Sequence, residues 1–106
     1  MGTTRKRRQF QDLFSDVLTY HGALNVASLA DGAGATSAIT VPGAALGDFV
    51  LVSLGIDLVD MTVTGYVQAA DTVEVRVQNE SGAGPVDLAS ATLRIAVLKP
   101  ASHAFF

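Results

Sequence analysis

The 106 residues predict an all-β domain, an antiparallel β-sandwich or jelly-roll-like barrel of six to seven short strands, preceded by a basic N-terminal arm and a short amphipathic helix. Three observations carry that expectation. From residue 22 onward, turn-forming residues recur at short intervals; the runs between them are rich in β-branched residues; and one run alternates apolar with polar side chains without a break. No helical period lies between those runs, which points to strands returning antiparallel on one another. A mass of 11.0 kDa is that of one compact domain. Hydrophobic residues at 49%, charged residues at 16% and a mean hydropathy of +0.38 exclude a chain held open by its own charge.

Taken in order, residues 1–21 read as the arm. Arg5, Lys6, Arg7 and Arg8 hold most of the 7 basic residues, so the rest of the chain, which carries the 10 acidic ones, is distinctly acidic. Phe10, Leu13, Phe14, Val17 and Leu18 then fall at i, i+3, i+4, i+7 and i+8, the spacing of an apolar stripe. This predicts an amphipathic helix over 9–20. Isolated helices shorter than about 12–15 residues are marginal in water, so the stripe needs a surface, either its own domain or another chain. A membrane surface is disfavoured by Asp12 and Asp16 on the polar side.

Residues 22–100 read as the sandwich, with strands at 23–29, 36–41, 48–54, 61–68, 72–79 and 91–98 and a short one near 56–59. In Val73-Glu74-Val75-Arg76-Val77-Gln78 every odd residue is Val and every even one polar, as a strand with one buried and one wet face requires. In 61–68 the odd positions again read as core, with Gly65 marking a bulge or a close approach. Two strands lack a polar face: Phe49-Val50-Leu51-Val52-Ser53-Leu54, and the last, where Leu93, Ile95 and Val97 oppose Thr92, Arg94, Ala96 and Leu98. Something must cover such strands. The candidates are the N-terminal helix or a second subunit, and Phe49, Val50, Val52, Leu54, Ala96 and Leu98 are the expected oligomer interface. Residues 101–106 form a tail ending in Phe105 and Phe106, whose role the sequence leaves open.

The same inventory bears on chemistry. Cys and Trp are both absent, which removes disulfides, Cys-based zinc sites and Cys nucleophiles. His21 and His103 have no companions at ligand spacing. Asp57 and Asp60 offer half of a cation site at most and read as turn acids. Gly32-Ala33-Gly34 and Gly82-Ala83-Gly84 lead into strands rather than helices, with no Lys-Ser/Thr after them, so they read as turn glycines and not phosphate loops. Asn79-Glu80-Ser81 matches the glycosylation sequon by chance. We therefore expect no enzyme, no cofactor and no metal. No apolar run approaches the length that spans a bilayer, so no membrane partner is expected. Nucleic acid is an outsider, since the basic cluster of the arm adjoins an acidic body.

The segments 41–50 (Val41-Pro42-Gly43-Ala44-Ala45-Leu46-Gly47-Asp48-Phe49-Val50), 67–76 (Val67-Gln68-Ala69-Ala70-Asp71-Thr72-Val73-Glu74-Val75-Arg76), Asn79 and 86–95 (Val86-Asp87-Leu88-Ala89-Ser90-Ala91-Thr92-Leu93-Arg94-Ile95) resemble a small β-sandwich module that recurs in virion proteins of tailed bacteriophages. The resemblance spans a little over half the chain. It implies a virion component made in the host cytoplasm, in the class of capsid decoration (cement) proteins, head fibres and tail-associated proteins, frequently a homotrimer, with no catalytic residues to carry over. An arm plus one sandwich, with no fibre shaft, fits a decoration protein on the capsid surface. Its partner is then the major capsid protein: Arg5, Lys6, Arg7 and Arg8 pair with acidic capsid surface, while Phe10, Leu13, Phe14, Val17 and Leu18 enter apolar grooves. The rival is a head-fibre or tail-tip receptor-binding module, with ligand loops at 30–35, 55–60 and 80–87.

Overall fold

The computed structural model describes residues 13–101. Its elements are six strands: β1 (Phe14–Leu24), β2 (Gly34–Thr40), β3 (Phe49–Leu54), β4 (Thr62–Ala69), β5 (Thr72–Gln78) and β6 (Ala91–Pro100). They form two three-stranded antiparallel sheets, ordered β1-β6-β3 and β2-β5-β4. The all-β sandwich is thus as predicted, with one correction at its start.

The helix expected over 9–20 does not form where the chain is described: Phe14, Val17 and Leu18 lie in β1, paired with β6 along its length. Residues 9–12 lie outside the described residues. The apolar spacing that reads as a helical stripe also contains a period of two, because Leu18, Tyr20 and Leu24 all pack on the core while Val17, Thr19 and His21 are exposed. Val17, Thr19 and Tyr20 are residue types that suit a pleated surface, and a full-length partner strand outweighs the weak helical preference. β1 therefore runs across position 21–22, where the sequence places the end of the arm.

Two other expectations move. The strand predicted over 23–29 contributes only Ala23 and Leu24 to β1; beyond it, Leu29 makes an isolated bridge to Val86. The short strand near 56–59 is a turn in which Met61 N–H donates to the Leu58 carbonyl at 3.0 Å. The remaining five strands agree with their predicted spans to within a residue or two at each end.

The core is two clusters. The larger joins both sheets: Val67, Val73 and Val75 from one, Leu93, Ile95 and Val97 from the other, with Val41 and Ala44 closing one end. Val73, Val75, Val77, Leu93 and Val97 are at most 1% exposed. Gly65 lies where the sheets come closest. A Cβ there would stand 2.7 Å from Val52 Cγ1 and 3.0 Å from Val50 Cγ1, so its role is the close approach, not a bulge. The smaller cluster, Val26, Leu29, Met61, Val77 and Leu88, fills the space beneath the loops at the other end.

Asn79, 0% exposed, ties those loops together. Its Nδ2 donates to the carbonyls of Leu29 (2.8 Å) and Gly84 (3.0 Å), and its Oδ1 accepts from Ser81 N–H and Oγ–H. Its backbone pairs with Gly32 and Ala33. All four hydrogen-bonding positions of the side chain are used. The amide nitrogen that the sequon would offer for glycosylation is inside the protein and occupied.

Candidate interaction surface

The two sheets present different outer faces. On β2-β5-β4 the outward side chains form a hydrogen-bonded polar layer: the Tyr66 hydroxyl donates to Glu74 Oε1, and Arg76 donates to Thr36 Oγ1 and Gln78 Oε1. The Glu74 carboxylate, through that hydrogen bond first, then desolvation and its charge, holds the Tyr66 phenol above its ordinary value of 10.0. This face is satisfied in itself.

On β1-β6-β3 the register places Val17, Leu98 and Phe49 in one row across the three strands, and Thr19, Ala96 and Leu51 in the next but one. Leu51 is 61% exposed, Phe49 46% and Val17 42%. Phe14 reaches over β6 to meet Phe49 edge to face, ring centroids 6.0 Å apart. Toward the other end the face turns polar: Arg94 on the central strand is flanked directly by His21 and Ser53. Between the halves, over the small Ala96, lies an open concavity of about 340 Å³ lined by Thr19, His21, Leu51, Ser53, Arg94 and Ala96 among others.

The six residues predicted as an interface therefore do not act together. Phe49, Ala96 and Leu98 share the outer face, whereas Val50, Val52 and Leu54 point inward and pack on the core. The strand is apolar on both sides, and period two assigns its even residues to this domain's own interior. Leu51 is the residue that sequence reading missed, although alternation with Val50 and Val52, both partly buried against the core, would have found it. The expected cover also changes. Residues 14–24 extend the sheet as its edge strand instead of lying across it, so this part of the chain does not cover the face.

Of the residues assigned to the capsid-binding arm, Arg5, Lys6, Arg7, Arg8 and Phe10 lie outside the described residues, as do Phe105 and Phe106. Leu13 is 40% exposed and its carbonyl accepts the Ala101 N–H at 2.9 Å, prolonging the ladder. Phe14 and Val17 belong to the outer face; Leu18 packs on the core and is unavailable to a partner. The loops 30–35 and 80–87 are clasped to each other, by the reciprocal Leu29–Val86 backbone pair at 2.9 Å and by Gly82 N–H donating to Asp31 Oδ1 at 3.0 Å. Gly32, Gly82 and Gly84 take positive φ, as turn glycines do.

Among the described residues, no three His, Cys, Asp or Glu side chains are grouped to hold a metal, and no helix is long and apolar enough to cross a membrane. Asp57 Oδ1 accepts the Val59 N–H at 3.0 Å, an Asx turn. Asp48 accepts from the Lys99 ammonium at 2.6 Å and Ala45 N–H at 3.0 Å, which locks the 41–48 loop onto β6. No protein-family model, curated protein or solved structure matches the chain.

Proposed function

We propose that this chain is a capsid decoration protein, a structural component of a bacteriophage virion whose sandwich bodies associate, as a homotrimer, and whose N-terminal arms bind the major capsid protein. The observation that supports it is the outer face of β1-β6-β3. Leu51, Phe49 and Val17 are exposed there together, and β1 receives the arm at Phe14, beside Phe49. A solvent-facing apolar sheet face of this kind marks a surface that works in contact. Full burial of a Leu or Phe side chain stabilises by about 1.5–3 kcal/mol, so a few such residues suffice to hold subunits together. Weak arm contacts then gain by multivalency when several arms leave one body. The arm proper is residues 1–12, which extended reach about 40 Å.

The test is the ratio of this chain to the major shell subunit in purified virions from its source, by quantitative mass spectrometry. A ratio near one is expected for a lattice-wide decoration protein. A handful of copies per particle assigns the chain to a fibre or tail tip, and absence removes the virion reading. The companion test is a chain lacking 1–12, which is expected to fold and to lose binding to undecorated shells.

A further inference from the structure

The concavity over Ala96 is open to solvent and lined in part by Arg94. Arg94 forms no part of the ion pair between Lys99 and Asp48, and among the described residues no hydrogen bond or ion pair engages its guanidinium. β3 and β6 carry no acidic residue, and Asp16 of β1 pairs with Lys99, away from the row of Arg94. The site thus offers a cation beside an apolar floor, with the imidazole of His21 and the hydroxyl of Ser53 at its sides. A volume of about 340 Å³ suits a side-chain cluster, being near the lower limit of small-molecule pockets, about 300–1,000 Å³.

What fits is an exposed apolar side chain flanked by carboxylates. Among the described residues, the large apolar side chains more than 45% exposed away from this face are Leu46, Val59 and Tyr66. Leu46 stands by Asp48, whose carboxylate is committed to Lys99, and the Tyr66 hydroxyl is committed to Glu74. Val59 differs. It is 50% exposed at the tip of the turn, between Asp57, whose Oδ1 accepts the Val59 N–H, and Asp60, which makes no hydrogen bond or ion pair among the described residues. The turn also stores backbone strain, since Val59 has φ 51° and Asp60 φ 65°. For a β-branched residue that conformation is an outlier, and such strain persists where surrounding structure or function holds it.

We propose that the turn of a second copy of this chain occupies the concavity, Val59 packing on Leu51 and Ala96 while Asp57 and Asp60 meet Arg94. The inference rests on the self-associating body of the proposed function and names its contact. The turn adjoins the rim of the concavity, Arg94 Nη1 standing 4.0 Å from where a Cβ on Gly55 would lie, and a ring or a reciprocal pair satisfies every copy.

The experiment is light scattering behind size exclusion on the full chain across a concentration series, for wild type, Arg94→Asp, Asp60→Arg and the double variant. Both substitutions change exposed side chains, and thermal melts confirm folding. The expected result is a wild-type oligomer, association weakened about tenfold or more by each single reversal, and recovery in the double variant where the pair is re-formed with opposite sense. A wild-type oligomer indifferent to the reversals, or single losses that the double variant does not recover, overturns this contact and leaves the oligomeric body standing. A wild type that is monomeric at every concentration overturns both.

Discussion

At the scale of single residues, the groups that matter most are those whose polar atoms are used up inside the fold. Asn79→Ala removes the donor to the Gly84 carbonyl and the acceptor for Ser81, and leaves a void beneath the loops. A loss of about 2–4 kcal/mol follows, a lowering of the melting midpoint by some 4–8 °C for each kcal/mol in a domain of this size. Calorimetry checks it, and an unchanged midpoint would contradict the role given to Asn79. Tyr66 supplies the pH-dependent case. Its phenol is raised above 10.0 chiefly by the hydrogen bond to Glu74, so the proton is held more tightly in the folded chain. The stabilisation is present below the unfolded value of about 10 and is lost as pH rises through the folded one. Ultraviolet titration in a Tyr20→Phe background should show the Tyr66 phenolate forming above pH 10.0, and Glu74→Gln should move it down.

At the scale of elements, the separation of the two sheets depends on Gly65. Gly65→Ala places a methyl group 2.7 Å from Val52 Cγ1 and 3.0 Å from Val50 Cγ1, and Val, branched at Cβ, has little freedom to turn aside. Overpacking of this kind costs about 1–3 kcal/mol. Combining it with Val52→Ala should cost less than the two changes summed, because the second makes room for the first; denaturant titrations of the four proteins measure that coupling. β5 was legible residue by residue, since Val73, Val75 and Val77 alternate with polar partners and are at most 1% exposed. β1 was not. Its helical spacing and its period of two coincide over 14–18, and only the pairing with β6 decides between them.

At the scale of the whole molecule, the described body takes β1 as a full edge strand of its sheet. A chain lacking 1–12 should retain the cooperative unfolding of the full protein. A chain lacking 1–21 should not, since it strips most of β1 from β6 and takes Leu18 and Tyr20 out of the core. Circular dichroism melts of the two truncations distinguish them. If both melt alike, β1 is not part of the stable fold. The molecule is also two-sided, with a hydrogen-bonded polar layer on one sheet and an exposed apolar band on the other. The proposed association rests on that asymmetry.

Composition, turn spacing and strand alternation alone determined the all-β class, most strand positions, the buried faces of β4 and β5, and the apolar character of β3 on both sides. These are local properties, written in the order of neighbouring residues along the chain. Strand order, the membership of residues 14–24 in a sheet, and the placement of Arg94 between His21 and Ser53 came only from the tertiary structure. Each depends on which distant segments share backbone hydrogen bonds, and pairing register is a relation between strands that no single strand contains. The interface expectation shows the boundary between the two. Phe49 to Leu54 reads as apolar throughout, and it took the opposite sheet, with Gly65 against Val50 and Val52, to claim one face for the core and leave Phe49 and Leu51 facing outward.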